Sequence, residues 1–239
     1  MCFPHIMNIC VQHVADHFTN SIVAAQEVSQ AWDATIDGIV MDKKTYIAAI
    51  TNNPVALGRS AIKAIRVSGL RRDKFMEVVK TGNAKQWFKS PLNELVTVPE
   101  VELLRDVCMR WDSTYFMINR LRAMRPAIDF FLSTPNQQDI SGHKMTDSEW
   151  QVLEDLEKIL DVPHRVQQQM SSESMPQLGS AVPCFELFMT AWESLATKFP
   201  RLRPSIDVGL EWAKSYYICM DLTDTYVIAM CKSTILGDK

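Results

Sequence analysis

Several groups of side chains in this sequence set metal-ligating, acidic or basic residues at short intervals. Cys2-x-x-His5 and Cys10-x-x-His13 pair thiol with imidazole, the ligands that a structural zinc ion takes four at a time in a tetrahedron. Cys10, His13 and His17 share one face of a helix, at spacings of three and four. A continuous helix cannot wrap all four outer groups of these two motifs around one ion, so a buried Cys and a hydrogen-bonded His on a core face are the favoured reading. Acids could hold Mg²⁺ for phosphoryl transfer. Asp33, Asp37 and Asp42 lie close together, as do Asp221 and Asp224, but neither set combines strand context with a third partner, which favours caps and solvated faces. Arg59, Lys63, Arg66, Arg71, Arg72 and Lys74 form a basic run that could neutralise a nucleic-acid backbone, although such a run is usually a solvated helix face. Arg110 beside Trp111 joins a phosphate-holding cation to a ring that could stack on an unpaired base. On spacing alone, core packing of that ring is favoured.

The elements that position these residues read as helices. Ile6, Ile9, Cys10, Val14 and Phe18 give residues 5–19 an amphipathic period, and a second helix is expected near 21–32, before a turn at Asp37-Gly38. Pro54 suits a first helical turn, and Ser68-Gly69 divides the helical pattern of 55–81. Residues 82–99 read as an irregular connector. Val101, Leu103, Leu104 and Val107 make 101–109 the best strand candidate. Asp112 or Ser113 is expected to cap a helix that reaches Leu132 and is divided by Pro126. Residues 133–144 read as an exposed loop, and Thr146 and Glu149 have capping-box spacing. The helix that follows is expected to break at Pro163 and resume through Met170. A helix from Phe185 to Pro200 and another opened by Pro204 complete a mainly α chain with at most one or two short strands.

Composition narrows the function. The 239 residues fit one large domain or two small ones. A net charge of −3 and a sequence pI near 6.0 argue against a strongly basic nucleic-acid module without excluding a local patch. Six widely spaced cysteines suit reduced intracellular thiols. Eight glycines, none in a phosphate-binding loop, disfavour a nucleotide-binding enzyme; no cofactor or small-molecule substrate is suggested. No apolar run approaches the ~20 residues of a membrane span, so no membrane partner is expected. Residues Met1–Asn8 lack the charged start of a secretory signal.

Four ordered motifs resemble hAT-superfamily transposases. Cys2-Phe3-Pro4-His5-Ile6-Met7-Asn8-Ile9 is similar to the family's Cys-x-x-His-x-Leu-Asn-Leu segment. Ile65-Arg66-x-Ser68 with Arg71-Arg72-x-x-Phe75 resembles the basic helix that follows it. Arg110-Trp111-Asp112-Ser113-Thr114-Tyr115 resembles the Arg-Trp-Asn-Ser-Thr-Tyr signature. Glu149-Trp150 through Ile159-Leu160, then Met170-Ser171 and Ala181-Val182-Pro183, is similar to the helical region beyond. The resemblance implies an RNase H-like α/β core interrupted by a helical insertion, in a family that cuts and rejoins DNA with an Asp-Asp-Glu triad and divalent metal. It implies a remnant of that core with the start of the insertion in 1–132, including the strand near 101–109, and a truncated helical insertion in 133–239. Arg110 and Trp111 map onto a pair that handles transposon-end DNA, with Arg66, Arg71 and Arg72 as further DNA contacts. Cys2, His5, Ser113 and Thr114 map onto structural positions. Asp112 replaces the family asparagine and adds a negative charge beside any phosphate. None of the three catalytic acids maps onto this chain, so the expectation is a non-catalytic, nuclear, transposase-derived fragment. Its expected partners are DNA and other transposase-like chains. The alternatives are a helical interaction module using Trp150, Trp192 and Trp212, or an unstable truncated product.

Overall fold

In the computed structural model the helices Pro54–Ile65, Gly69–Ala84 and Asp147–Met170 start where Asn53, Ser68 and the Thr146–Glu149 pair meet free amides of the first turn. The structure describes residues 3–32, 42–90, 93–107, 110–170 and 181–221. Cys2, Asp33, Asp224 and the Asp37-Gly38 turn lie outside them. The α-helices are α1 Phe3–Thr19, α2 Ser21–Ala31, α3 Lys43–Thr51, α4 Pro54–Ile65, α5 Gly69–Ala84, α6 Trp111–Ala123, α7 Arg125–Leu132, α8 Asp147–Met170, α9 Ala181–Lys198 and α10 Arg203–Asp221. Short 3-10 helices occupy Pro135–His143 and Pro200–Leu202. Among the described residues no β-strand forms, and no helix is long and apolar enough to cross a membrane. The chain divides into two units, Ala48–Glu157 and Met1–Ile47 with Lys158–Lys239. The expected division after Leu132 falls inside the first of these.

In the Ala48–Glu157 unit, Asn53 takes a left-handed conformation (φ 52) and its side chain accepts the Ala56 N–H at 3.2 Å. Pro54 then occupies the first turn of α4, where its missing N–H is harmless. Ser68 caps α5 by accepting the Arg71 N–H at 3.3 Å. Pro126 sits in the first turn of α7 and separates it from α6. Thr146 and Glu149 form a reciprocal capping box: Glu149 Oε2 accepts the Thr146 N–H at 2.7 Å, and Thr146 Oγ1 accepts the Glu149 N–H at 3.3 Å. Ile62, Ile65, Phe75, Val79, Ile118, Leu121, Phe131 and Leu153 are among the buried side chains of this unit.

Three local expectations are corrected here. Residues 101–107 are irregular coil, because no neighbouring strand offers a ladder and side chains meet the backbone instead. The expected loop at 133–144 is largely a 3-10 helix that buries Gln137 and Ile140. Neither Asp112 nor Ser113 caps α6, which begins at Trp111 and places both inside its first turn.

The other unit is built on α1 packed along α10. Val14 and Trp192 close on Gly209 so tightly that an added Cβ would lie 2.6 Å from Val14 Cγ2 and 2.5 Å from Trp192 Cζ3. Pro163 does not break α8, contrary to expectation. Proline has no N–H for the carbonyl four residues earlier, which here belongs to Ile159. The buried Trp192 indole donates its Nε1–H to that carbonyl at 3.0 Å and replaces the lost bond.

Candidate nucleic-acid interface

The approach to Arg110 is the coil 101–107, held by side chains rather than by pairing. Arg66 and Arg120 donate to the Leu103 and Glu102 carbonyls. Asp106 is 8% exposed and accepts Arg59 Nε at 2.8 Å and Nη2 at 2.5 Å, and also the Thr114 hydroxyl at 3.2 Å. Ser113 Oγ accepts the Val107 N–H at 2.7 Å and lies 3.0 Å from the Val107 carbonyl and 2.7 Å from that of Arg110. Ser113 and Thr114 of the signature therefore fasten the incoming chain to the first turn of α6.

This fastening places the signature's first two residues in opposite environments. Arg110 is exposed one residue ahead of α6. Trp111 is 4% exposed, so in this arrangement its ring offers no open face to a base. Asp112, also in the first turn, favours the positive end of the helix dipole.

The basic run separates in the same way. Arg59 is committed to Asp106. Arg66 Nη2 pairs with Glu102 Oε2 at 3.2 Å while Nη1 holds the Leu103 carbonyl. Arg71 Nη1 donates to the Ala64 carbonyl at 3.2 Å and Nη2 to Asp139 at 2.5 Å. Lys63, Arg72 and Lys74 are exposed and hold no ion pair among the described residues. Arg66, Arg72 and Glu102 line one hollow with Ile65, Phe75 and Leu103, so an unpaired and a paired arginine stand together there. Glu102, Asp106 and Asp139 were not legible from the sequence. Their partners lie 36, 47 and 68 positions away, and no short motif links them.

The sets considered for metal or covalent chemistry sit elsewhere. Cys10 is buried in the core, and burial pushes its thiol up to about 12, away from thiolate chemistry at neutral pH. His13 stacks on Trp212 at 4.1 Å with an interplanar angle of 4°. His5 is exposed on α1. His17 bridges Ser205 Oγ at 3.1 Å and Glu27 Oε2 at 2.9 Å, the connectivity of a Ser-His-acid set. Ser205 is buried, however, so no substrate carbonyl can reach it. Among the described residues no group of three or more His, Cys, Asp or Glu side chains is arranged to hold a metal ion. Of the tryptophans considered for protein contact, Trp150 and Trp192 are buried and Trp212 is 41% exposed.

Residues 1–159 match a protein family described as the ZBED1 RNase-like helical domain. No curated protein and no solved structure matches the chain.

Proposed function

The chain belongs to the transposase-related family of the ZBED1 RNase-like helical domain, and on that premise we propose that it is a nuclear DNA-binding protein of hAT descent with no cutting activity of its own. The observation that carries the binding part is the exposed trio Lys63, Arg72 and Lys74 on α4 and α5. These residues hold no ion pair among the described residues, whereas Arg59, Arg66, Arg71, Arg122 and Arg125 of the same unit are engaged with acids. Cations with no carboxylate partner are the ones able to release counterions from a phosphate backbone. Arg110 adds a further exposed charge at the family signature. Absence of cutting follows from the family triad, none of whose acids maps onto this sequence.

Fluorescence anisotropy with labelled hairpin and duplex DNA across a salt series tests the reading. Replacing Lys63, Arg72 and Lys74 by alanine should weaken binding uniformly across sequences and flatten the salt slope by about 0.9 per cation removed. If the native chain shows no salt-dependent binding, the proposal fails.

One observation favours a second reading, contact with another transposase-like chain. The half-exposed Trp212 of α10 forms an aromatic tract with His13 of α1 and with Tyr216 of α10, whose ring centroid is 6.4 Å away. Sedimentation of Trp212→Ala against the native chain distinguishes it: a native dimer that the substitution dissociates supports this reading.

A further inference from the structure

Arg66 and Arg71 share an arrangement that Arg59 lacks. Each guanidinium has one N–H fixed on a backbone carbonyl (Leu103 for Arg66, Ala64 for Arg71) and another turned to a carboxylate on the surface. The Glu102 and Asp139 side chains are 59% and 60% exposed, whereas that of Asp106, the partner of Arg59, is 8% exposed. The carbonyl bonds keep the two guanidiniums oriented whether or not the acids are present. The acids occupy the positions at which an anion of the same geometry would bind, and arginine accepts carboxylate and phosphate through the same pair of donors. Pairs this exposed contribute little to stability and exchange readily. The unpaired cations Lys63, Arg72 and Lys74 lie in the same sequence run, and Arg72 shares a hollow with Arg66 and Glu102.

We infer that Glu102 and Asp139 are built-in competitors of nucleic-acid phosphate at Arg66 and Arg71. They attenuate DNA binding until backbone phosphates displace them. The inference rests on the DNA-binding reading above and deepens it. The unpaired cations make the first contacts, and the masked arginines join as their acids are displaced.

The test uses the full chain and a short fluorescein-labelled DNA duplex. Glu102→Gln with Asp139→Asn keeps side-chain size and removes both competitors. The double variant should bind roughly three- to tenfold more tightly, the range expected for two exposed pairs. Its salt slope should steepen by about 0.9 for each arginine released. Asp73→Asn with Glu77→Gln is the matched control, since both acids are exposed on α5 and hold no ion pair. This control changes net charge equally and should gain less. In an Arg66→Ala, Arg71→Ala background the gain from Glu102→Gln and Asp139→Asn should disappear, and circular dichroism melts verify that each variant is folded. An equal gain in the control, or a gain that survives loss of both arginines, overturns the competitor role and leaves the DNA-binding reading standing. Absence of binding by the native chain and by every variant overturns both.

Discussion

Trp111 and Arg110 are neighbours whose roles the structure separates, and paired substitutions measure that separation. Trp111 is 4% exposed. A ring of its size buries ~150–250 Å². At ~25 cal/mol per Å² its removal forfeits about 4–6 kcal/mol as an upper figure, since the denatured chain already hides part of that surface. Tryptophan-to-alanine changes in cores cost about 3–5 kcal/mol, and Trp111→Ala is expected in that range. Trp111→Phe, which keeps an aromatic in the site, should cost less. Arg110→Ala touches only an exposed side chain and should shift stability by no more than about 0.5 kcal/mol. It should also lower DNA affinity and flatten the salt slope by roughly one contact. Urea denaturation followed by far-UV circular dichroism reads the first quantity, and anisotropy at several salt concentrations reads the second. A Trp111→Ala chain that unfolds at the native urea midpoint but no longer binds DNA would refute the burial argument and return the ring to base stacking.

The Pro163–Trp192 substitution for a helix hydrogen bond predicts a coupled pair. Trp192→Phe should cost about 1–3 kcal/mol for the orphaned Ile159 carbonyl beyond its lost volume, and Pro163→Ala, which restores an N–H, should recover part of that in a double-mutant cycle. Burial raises the Asp129 carboxyl above its usual 3.8 against the pull of Arg125. The native state therefore keeps a proton that the unfolded chain has released, and the stabilisation present below 3.8 is lost as pH rises through the raised folded value. Asp129→Asn, which cannot ionise, should gain on the native chain across that window in urea midpoints taken at successive pH values. Gly209→Ala drives a Cβ into Val14 and Trp192 and should cost about 1–3 kcal/mol in thermal melts. Alkylation at neutral pH read by mass spectrometry should modify the exposed Cys219 and spare Cys10; labelling of Cys10 in the folded chain contradicts its burial.

Local chemistry made much of the helical frame legible. Pro54, Ser68-Gly69, Pro126 and the Thr146–Glu149 box act within one turn of themselves, so their consequences can be read from neighbouring letters. Several misreadings share a cause, which is that the deciding partner lies far along the chain. Pro163 looks like a helix end until Trp192, 29 residues later, supplies the missing donor. Residues 101–107 look like a strand until Arg66 and Arg120 claim their carbonyls. An arginine beside a tryptophan at a helix start reads the same whether the ring points to solvent or to the core, and only the packing of α6 decides. Arg66 and Arg71 likewise looked available because nothing near them in sequence announces Glu102 or Asp139.

The pairing of α1 with α10 also sets an order of events during synthesis. His17 meets Ser205 188 positions later. At the usual ~5–20 residues per second, α1 leaves the ribosome about 10–40 s before its partner helix exists. The contiguous segment 48–157 can complete its own core in that interval. Meanwhile the face of α1 carrying Ile6, Cys10, Val14 and Phe18 waits without its native cover. Long-separated contacts of this kind slow folding and prolong exposure of apolar surface. Interruption of translation before Arg203 would leave α1 permanently without its partner, making such a nascent product a natural client for chaperones and proteases.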